Sequence, residues 1–265
     1  MNTGCNAMTT PSYIKHVEHL TVEVFATRQQ MGQAAAAAAA QHLRQLLSQQ
    51  NNVRIVFAAA PSQNAFLAHL SRAEGIDWRR VVAFHMDEYI GLPEHSPALF
   101  RHYLAHHLFD TVRPGRVYYI PASGDPQRVC EQYTMLLQQA PVDMVCLGIG
   151  ENGHLAFNDP PVADFNDREA MKVVELDSSC RQQQVNDGCF ASLDEVPVHA
   201  LTLTIPTLMA ARRLFCIVPG KNKRNAIVQT LNSPQSVACP ATILRSHPAC
   251  TLYTDIAGYG ELPHE

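Results

Sequence analysis

Short apolar runs alternate along the chain with longer stretches whose apolar residues recur at helical spacing. Residues 52–57 (NVRIVF), 80–86 (RVVAFHM), 117–120 (VYYI), 142–147 (VDMVCL), 200–204 (ALTLT), 214–218 (LFCIV) and 251–253 (TLY) predict strands. Residues 29–50, 62–72, 97–108, 126–139, 221–231 and 241–246 predict helices between them. The alanine run inside 29–50 reads as helix propensity. Ser62 stands where the N-cap of the second helix is expected. Strands that are apolar throughout need cover on both faces, so the pattern predicts an α/β fold with a mainly parallel sheet between helical layers. No linker or repeat divides the chain. We expect a loose leader over residues 1–20, a single domain over 21–265, and a local excursion above the sheet around 164–188.

Composition narrows the function classes. A chain of 265 residues, 46% hydrophobic and 17% charged, has ample material for a core. A net charge of -4 argues against a nucleic-acid partner. Apolar runs fall short of the roughly 18 residues of a membrane span, and the start lacks a basic segment leading into an apolar one. The eight cysteines form no CxxC pair, which leaves zinc and thioredoxin chemistry without support. Cys146 and Cys216 sit inside apolar runs and read as small core residues in a reduced cytoplasm.

In parallel sheets, ligands bind at the carboxyl ends of the strands. That rule selects the loops at 58–64, 86–93 and 148–161. In the second, Asp87 and Glu88 arrive where an apolar strand ends. Adjacent side chains of an extended chain point in opposite directions, so one carboxylate can face a cleft while the other pairs elsewhere. A partly desolvated carboxylate can serve as a base on a carbon acid; the bland alternative is an exposed acidic turn. The third loop, GIGENGHLAFNDPP, brings Gly148, Gly150 and Gly153 together with Asn152, His154, Asn158 and Asp159. Its glycines allow tight turns and close approach to a ligand. An imidazole exchanges protons near neutral pH, and Asn152 and Asp159 are candidates to orient it. The alternatives are a structural histidine and ordinary turn chemistry. GIGENG lacks the GxGxxG spacing of a dinucleotide loop.

MDEYIGL together with GIGENGHLAFNDP resembles the glucosamine-6-phosphate deaminase family, whose superfamily also contains the 6-phosphogluconolactonases. The resemblance runs from about Val53 to Glu261 and includes VPGKNK at 218–223 and ILRSHP at 243–248. It implies a modified Rossmann-like fold, a small-molecule sugar phosphate substrate and a homo-oligomer, with no metal or other cofactor. By position, Asp87 resembles the base that moves a proton between C2 and C1 of the opened amino sugar. His154 resembles the group that transfers a proton during ring opening. Asn152 stands where many members have Asp. Asp159 stands where members usually have Glu as partner of the histidine, which shortens its reach by roughly 1.5 Å, one C–C bond. Gly153 and Lys223 match substrate-contacting positions, Lys223 at the phosphate.

Two departures concern that phosphate. The usual Gly/Thr-rich turn is replaced by Ala58-Ala59-Ala60-Pro61-Ser62-Gln63-Asn64, in which Ser62 still offers a hydroxyl and Pro61 has no amide to give. Asn186 stands at the usual place of the phosphate-binding arginine, leaving Arg181, Lys223 or Arg245 as substitutes. The leading expectation is an amino-sugar phosphate deaminase/isomerase, a hydrolase of a C–N bond. A sugar-lactone hydrolase is the runner-up; there the Gly-His loop usually lacks the FN(E/D)P that follows here. A non-catalytic sugar-phosphate sensor on the same fold is the third reading.

Overall fold

The computed structural model describes residues 9–262. The chain begins with β1 (Tyr13–Val17), β2 (Leu20–Phe25), α1 (Arg28–Gln49), β3 (Val53–Phe57), α2 (Asn64–Leu70), β4 (Val81–His85) and β5 (Asp87–Tyr89). It continues through α3 (Phe100–Leu104), α4 (Asp110–Val112), β6 (Arg116–Tyr118), α5 (Pro126–Gln138), β7 (Met144–Leu147), β8 (Met171–Glu175) and α6 (Ser178–Asn186). It ends with β9 (His199–Leu203), α7 (Ile205–Met209), β10 (Arg213–Ile217), α8 (Arg224–Asn232), β11 (Cys250–Asp255) and α9 (Ile256–Tyr259).

Eight strands form one sheet in the order β1-β2-β11-β10-β7-β3-β4-β6. Every pairing in it is parallel except β1 with β2. The apolar runs are continuous because both faces are covered. Ile55, Phe57 and Cys146 join α1 and α2 in one core, while Val56, Val145, Leu147 and Cys216 join α5 and α8 in the other. Successive residues of one strand therefore serve opposite layers. The buried alanines Ala35, Ala36, Ala39 and Ala40 are packed residues of α1, consistent with their reading as helix.

The chain leaves β3 outward to β4 and β6, then returns to β7 on the other side of β3. This reversal opens a crevice between the carboxyl ends of β3 and β7, the place where such sheets bind ligands. The loop 58–63 and the glycine loop lie on its two sides.

Four expectations change. Residues 1–8 of the expected leader lie outside the described residues, but Tyr13–Val17 is an edge strand paired with β2, so the ordered fold begins before residue 20. The run 200–204 supplies β9 of a separate three-stranded antiparallel sheet, β5-β9-β8. Within the excursion expected at 164–188, Met171–Glu175 forms β8 of that sheet and Ser178–Asn186 forms α6; the sequence pattern does not predict β8 as a strand. Ser62 does not cap α2: it lies inside a 3₁₀ turn, Pro61–Gln63, and accepts a hydrogen bond from Gln63 Nε2 at 3.2 Å. The helix expected at 97–108 starts at Phe100 and passes through a π-helical turn, Ala105–Phe109.

Candidate active site

The small sheet places the acidic pair. β5 continues from the end of β4 and pairs with β9, setting Asp87 opposite Thr202. His85 holds the turn between the two strands: its Nε2 accepts the Ile120 N–H at 2.8 Å, so its Nδ1 proton donates to the Asp87 carbonyl at 2.9 Å. Complete burial pushes the His85 imidazole down to about 3, which keeps it neutral in this role. The alternation expected for an extended DEY is present. Asp87 lines a pocket at the crevice, whereas Glu88 is fully buried and accepts the N–H groups of Tyr89, Phe100 and Arg101, each at 3.0 Å. Two of those donors open α3, where an acceptor carboxylate satisfies otherwise orphaned amides. Burial raises the Asp87 carboxyl well above its ordinary value, and the Glu88 charge raises it further. Burial lifts Glu88 to about 7 against its three hydrogen bonds.

The glycine loop forms the facing wall. Gly150 carries no Cβ because one would occupy the space of the His154 ring. His154 is buried, and its Nδ1 lies 2.8 Å from Asn152 Oδ1 and 2.9 Å from Asp159 Oδ1. Asn152 Nδ2 donates to Asp159 at 3.1 Å, which orients its oxygen toward the imidazole. The Asn152 acceptor at Nδ1, with the Asp159 carboxylate beside it, places the proton there and leaves Nε2 with the lone pair in neutral His154. The shortened Asp159 still reaches its partner, because the backbone brings the fully buried carboxylate close. Asn158 braces this turn by donating to the carbonyls of Leu155 and Leu203 at 2.8 Å each. Thr202 Oγ1 accepts the Phe157 N–H at 3.0 Å. β9 therefore ties the His154 loop to the Asp87 strand. Ala156, in the pocket wall, adopts a left-handed φ of 51°, backbone strain of the kind that collects at functional sites.

The pocket is lined by Asp87, His154, Ser62 and Lys223, together with Gly148, Gly150 and the stacked rings of Phe100 and Phe157. Lys223 is 6% exposed and makes no hydrogen bond or ion pair through its ammonium group among the described residues. Burial pulls its pKa below the ordinary value. Two residues missed in the sequence also face this space: Gln183 and Gln184 of α6. Gln183 Oε1 accepts the Glu151 N–H at 2.8 Å, joining α6 to the glycine loop. The run of three glutamines at 182–184 gives no hint of which ones turn inward.

Three expected substrate contacts are not in the pocket lining. Arg181 donates to the carbonyls of Leu193 and Val196 at 2.8 and 2.9 Å, which commits its guanidinium to holding the loop after α6. Arg245 donates to the Leu231 carbonyl and pairs with Glu18. Gly153, at φ 85°, packs against Cys239, so its lack of a side chain serves the turn and this close contact. His154, Asp159 and Cys180 bring potential metal-ligand atoms within 4.8 Å of one another. Nδ1 of His154 is already engaged by Asp159 and Asn152, so a cation at this point would have to displace that hydrogen bonding.

Residues 26–253 match the model of a family described as glucosamine-6-phosphate isomerases/6-phosphogluconolactonase. The chain belongs to that family. A glucosamine-6-phosphate deaminase of Bacillus thuringiensis (strain Al Hakam) is 33% identical over 215 residues, 80% of this chain and 79% of the relative. A solved monomeric glucosamine-6-phosphate deaminase superposes with a TM-score of 0.82 at 27% identity, covering 89% of this chain and 98% of the other. The 6-phosphogluconolactonase of Thermotoga maritima shares the fold, with a TM-score of 0.73 at 19% identity over 89% of this chain and 99% of its own. Membership agrees with the order in which MDEY and GENGH occur, each at a strand end.

Proposed function

We propose that this chain converts a hexosamine phosphate into a ketose phosphate and ammonia. The observation that carries the proposal is that Asp87 and His154 line one pocket together with a buried ammonium that has no partner among the described residues. His154 takes part in opening the sugar ring by moving a proton between the ring oxygen and the C1 hydroxyl. Asp87 then removes the C2 proton, which the adjacent carbonyl acidifies, and returns it to C1. The resulting C2 imine takes up water and releases ammonia. Asp159 and Asn152 position the imidazole, and Lys223 and Ser62 meet the phosphate. The names of the curated and solved relatives support the amino-sugar substrate, and the FNDP continuation after His154 favours this chemistry over lactone hydrolysis.

Purified protein is expected to release ammonia from glucosamine-6-phosphate or galactosamine-6-phosphate, with unphosphorylated glucosamine as comparison. No release from any of the three overturns the proposal.

The pH profile follows from the acidic pair. Asp87 acts as a base only when ionised, and its carboxyl titrates well above 3.8, so activity falls as the pH drops through that raised value. Glu88 contributes to the elevation by its charge. Glu88→Gln is therefore expected to move the acid limb of kcat/KM to lower pH. A limb at the wild-type position would remove Glu88 from this account.

We also place the protein in a reducing cytoplasm. Support comes from the free cysteines, of which Cys130, Cys146, Cys180, Cys216, Cys239 and Cys250 are buried. No helix of the described residues is long and apolar enough to cross a membrane. A homo-oligomer is part of the same proposal. The solved deaminase relative is monomeric, so light scattering that gives the mass of one chain would group this protein with it instead.

A further inference from the structure

The proposed substrate carries a phosphate dianion, yet Lys223 is the only lysine or arginine side chain in the pocket lining. Arg181 and Arg245 are committed elsewhere, and Asn186 is exposed on α6. A second cation stands beside the turn that carries Lys223. Arg28 is the first residue of α1, and its Nη2 lies 3.9 Å from where a Cβ on Gly220 would be. Gly220 precedes the 3₁₀ turn Lys221–Lys223 that delivers Lys223 to the pocket. The positive charge of Arg28 acts on Lys223 and also on Tyr103, whose hydroxyl donates to the carbonyl of pocket residue Ala60 at 2.7 Å. Arg28 thus lies beside the turn that carries Lys223, near enough to Lys223 and Tyr103 for its charge to act on both.

Two independent features indicate that this corner awaits an anion. The first turn of α1, a 22-residue helix, contains no acidic residue, and Arg28 puts a positive charge on the positive end of the helix dipole. The second is Lys223, more than nine-tenths buried in the pocket wall with no partner for its charge among the described residues. Asp187 and Glu151 act on it electrostatically, but neither lies within ion-pair distance. A buried ammonium without a partner among the described residues costs stability through lost solvation, the exposed Arg28 costs a little through the helix dipole, and a bound dianion offsets both.

We propose that Arg28 is the second cation of the phosphate subsite. It reaches from α1 to the phosphate that Lys223 meets from within. The inference rests on the sugar-phosphate reading for its biological ligand, but its chemistry is that of any phosphate monoester or free phosphate.

The test uses the full chain and two readouts. Calorimetry measures binding of inorganic phosphate to wild type, Arg28→Gln and Arg28→Lys, and steady-state kinetics measures KM for glucosamine-6-phosphate. Losing a charge-assisted, bidentate partner is expected to weaken phosphate binding and raise KM by about 10-fold or more in Arg28→Gln, with a much smaller fall in kcat. Arg28→Lys is expected to restore part of the loss. Phosphate should raise the melting temperature of wild type and do so much less in Arg28→Gln. Without phosphate, Arg28→Gln should be at least as stable as wild type, because a charge leaves the wrong end of a helix. Unchanged phosphate affinity and unchanged KM in Arg28→Gln overturn the proposal while leaving the deaminase reading intact. Wild type without ammonia release, but with phosphate binding that Arg28→Gln loses, overturns the deaminase reading and sustains the subsite.

Discussion

Asp87→Asn is expected to abolish detectable ammonia release while the protein still folds and still binds phosphate. The substitution keeps the size and shape of the side chain, and the contacts that hold β5 in place run through the backbone and through Glu88 and His85. What disappears is the basicity needed to take a proton from carbon. A positioned acid–base group contributes on the order of 10² to 10⁴ in rate, and the loss here should lie at the upper end because the pocket offers no second carboxylate in its lining. Turnover would be followed by ammonia release and binding by phosphate calorimetry. Retained turnover would remove Asp87 from the chemistry. Binding without turnover in both wild type and variant would instead describe a sensor on an enzyme fold.

The main sheet was legible because its strands are buried on both faces and read as unbroken apolar runs. The same property hid the second sheet. ALTLT at 200–204 has the composition of a main-sheet strand, and periodicity cannot say which sheet a short apolar run will join. β1 escaped notice for the opposite reason: YIKHV alternates between half-buried and exposed positions, as an edge strand does, and such a pattern resembles a polar leader. Within the site, the residues legible in advance act close to their place in sequence. Asp87 and Glu88 divide their tasks by strand alternation, and His154, Asn152 and Asp159 meet within one loop. The illegible residues depend on tertiary placement. Arg28 lies 195 positions before Lys223, and only the arrangement of α1 beside the end of β10 brings the two together. Arg181 shows the converse: a guanidinium in a promising segment is consumed by two carbonyls that sequence could not place beside it.

His154→Gln is expected to reduce kcat/KM by about 10²- to 10⁴-fold, and Asp159→Asn to follow it closely although the imidazole remains. In wild type, Asn152 Oδ1 accepts at Nδ1 and the Asp159 carboxylate lies 2.9 Å from the same nitrogen, so neutral His154 carries a bare Nε2. An asparagine at 159 leaves Asn152 Oδ1 accepting at Nδ1, so the ring keeps its tautomer and Nε2 stays an acceptor. The Asp159 carboxylate stabilises the imidazolium formed when His154 takes up a proton, and the neutral amide does not. Ring opening requires both the correct nitrogen and that transient charge. Asp159→Asn should therefore lose activity without losing the histidine, with a changed pH profile and little change in phosphate affinity, since Lys223 and Arg28 are untouched. NMR of the His154 ring nitrogens would read the tautomer directly, with the proton expected on Nδ1 in wild type and variant alike, so that the lost carboxylate charge and not a lost tautomer accounts for the fall in activity. A variant with wild-type kcat/KM would show that His154 works without its carboxylate, and the loop's Asp159 would then be a structural residue alone.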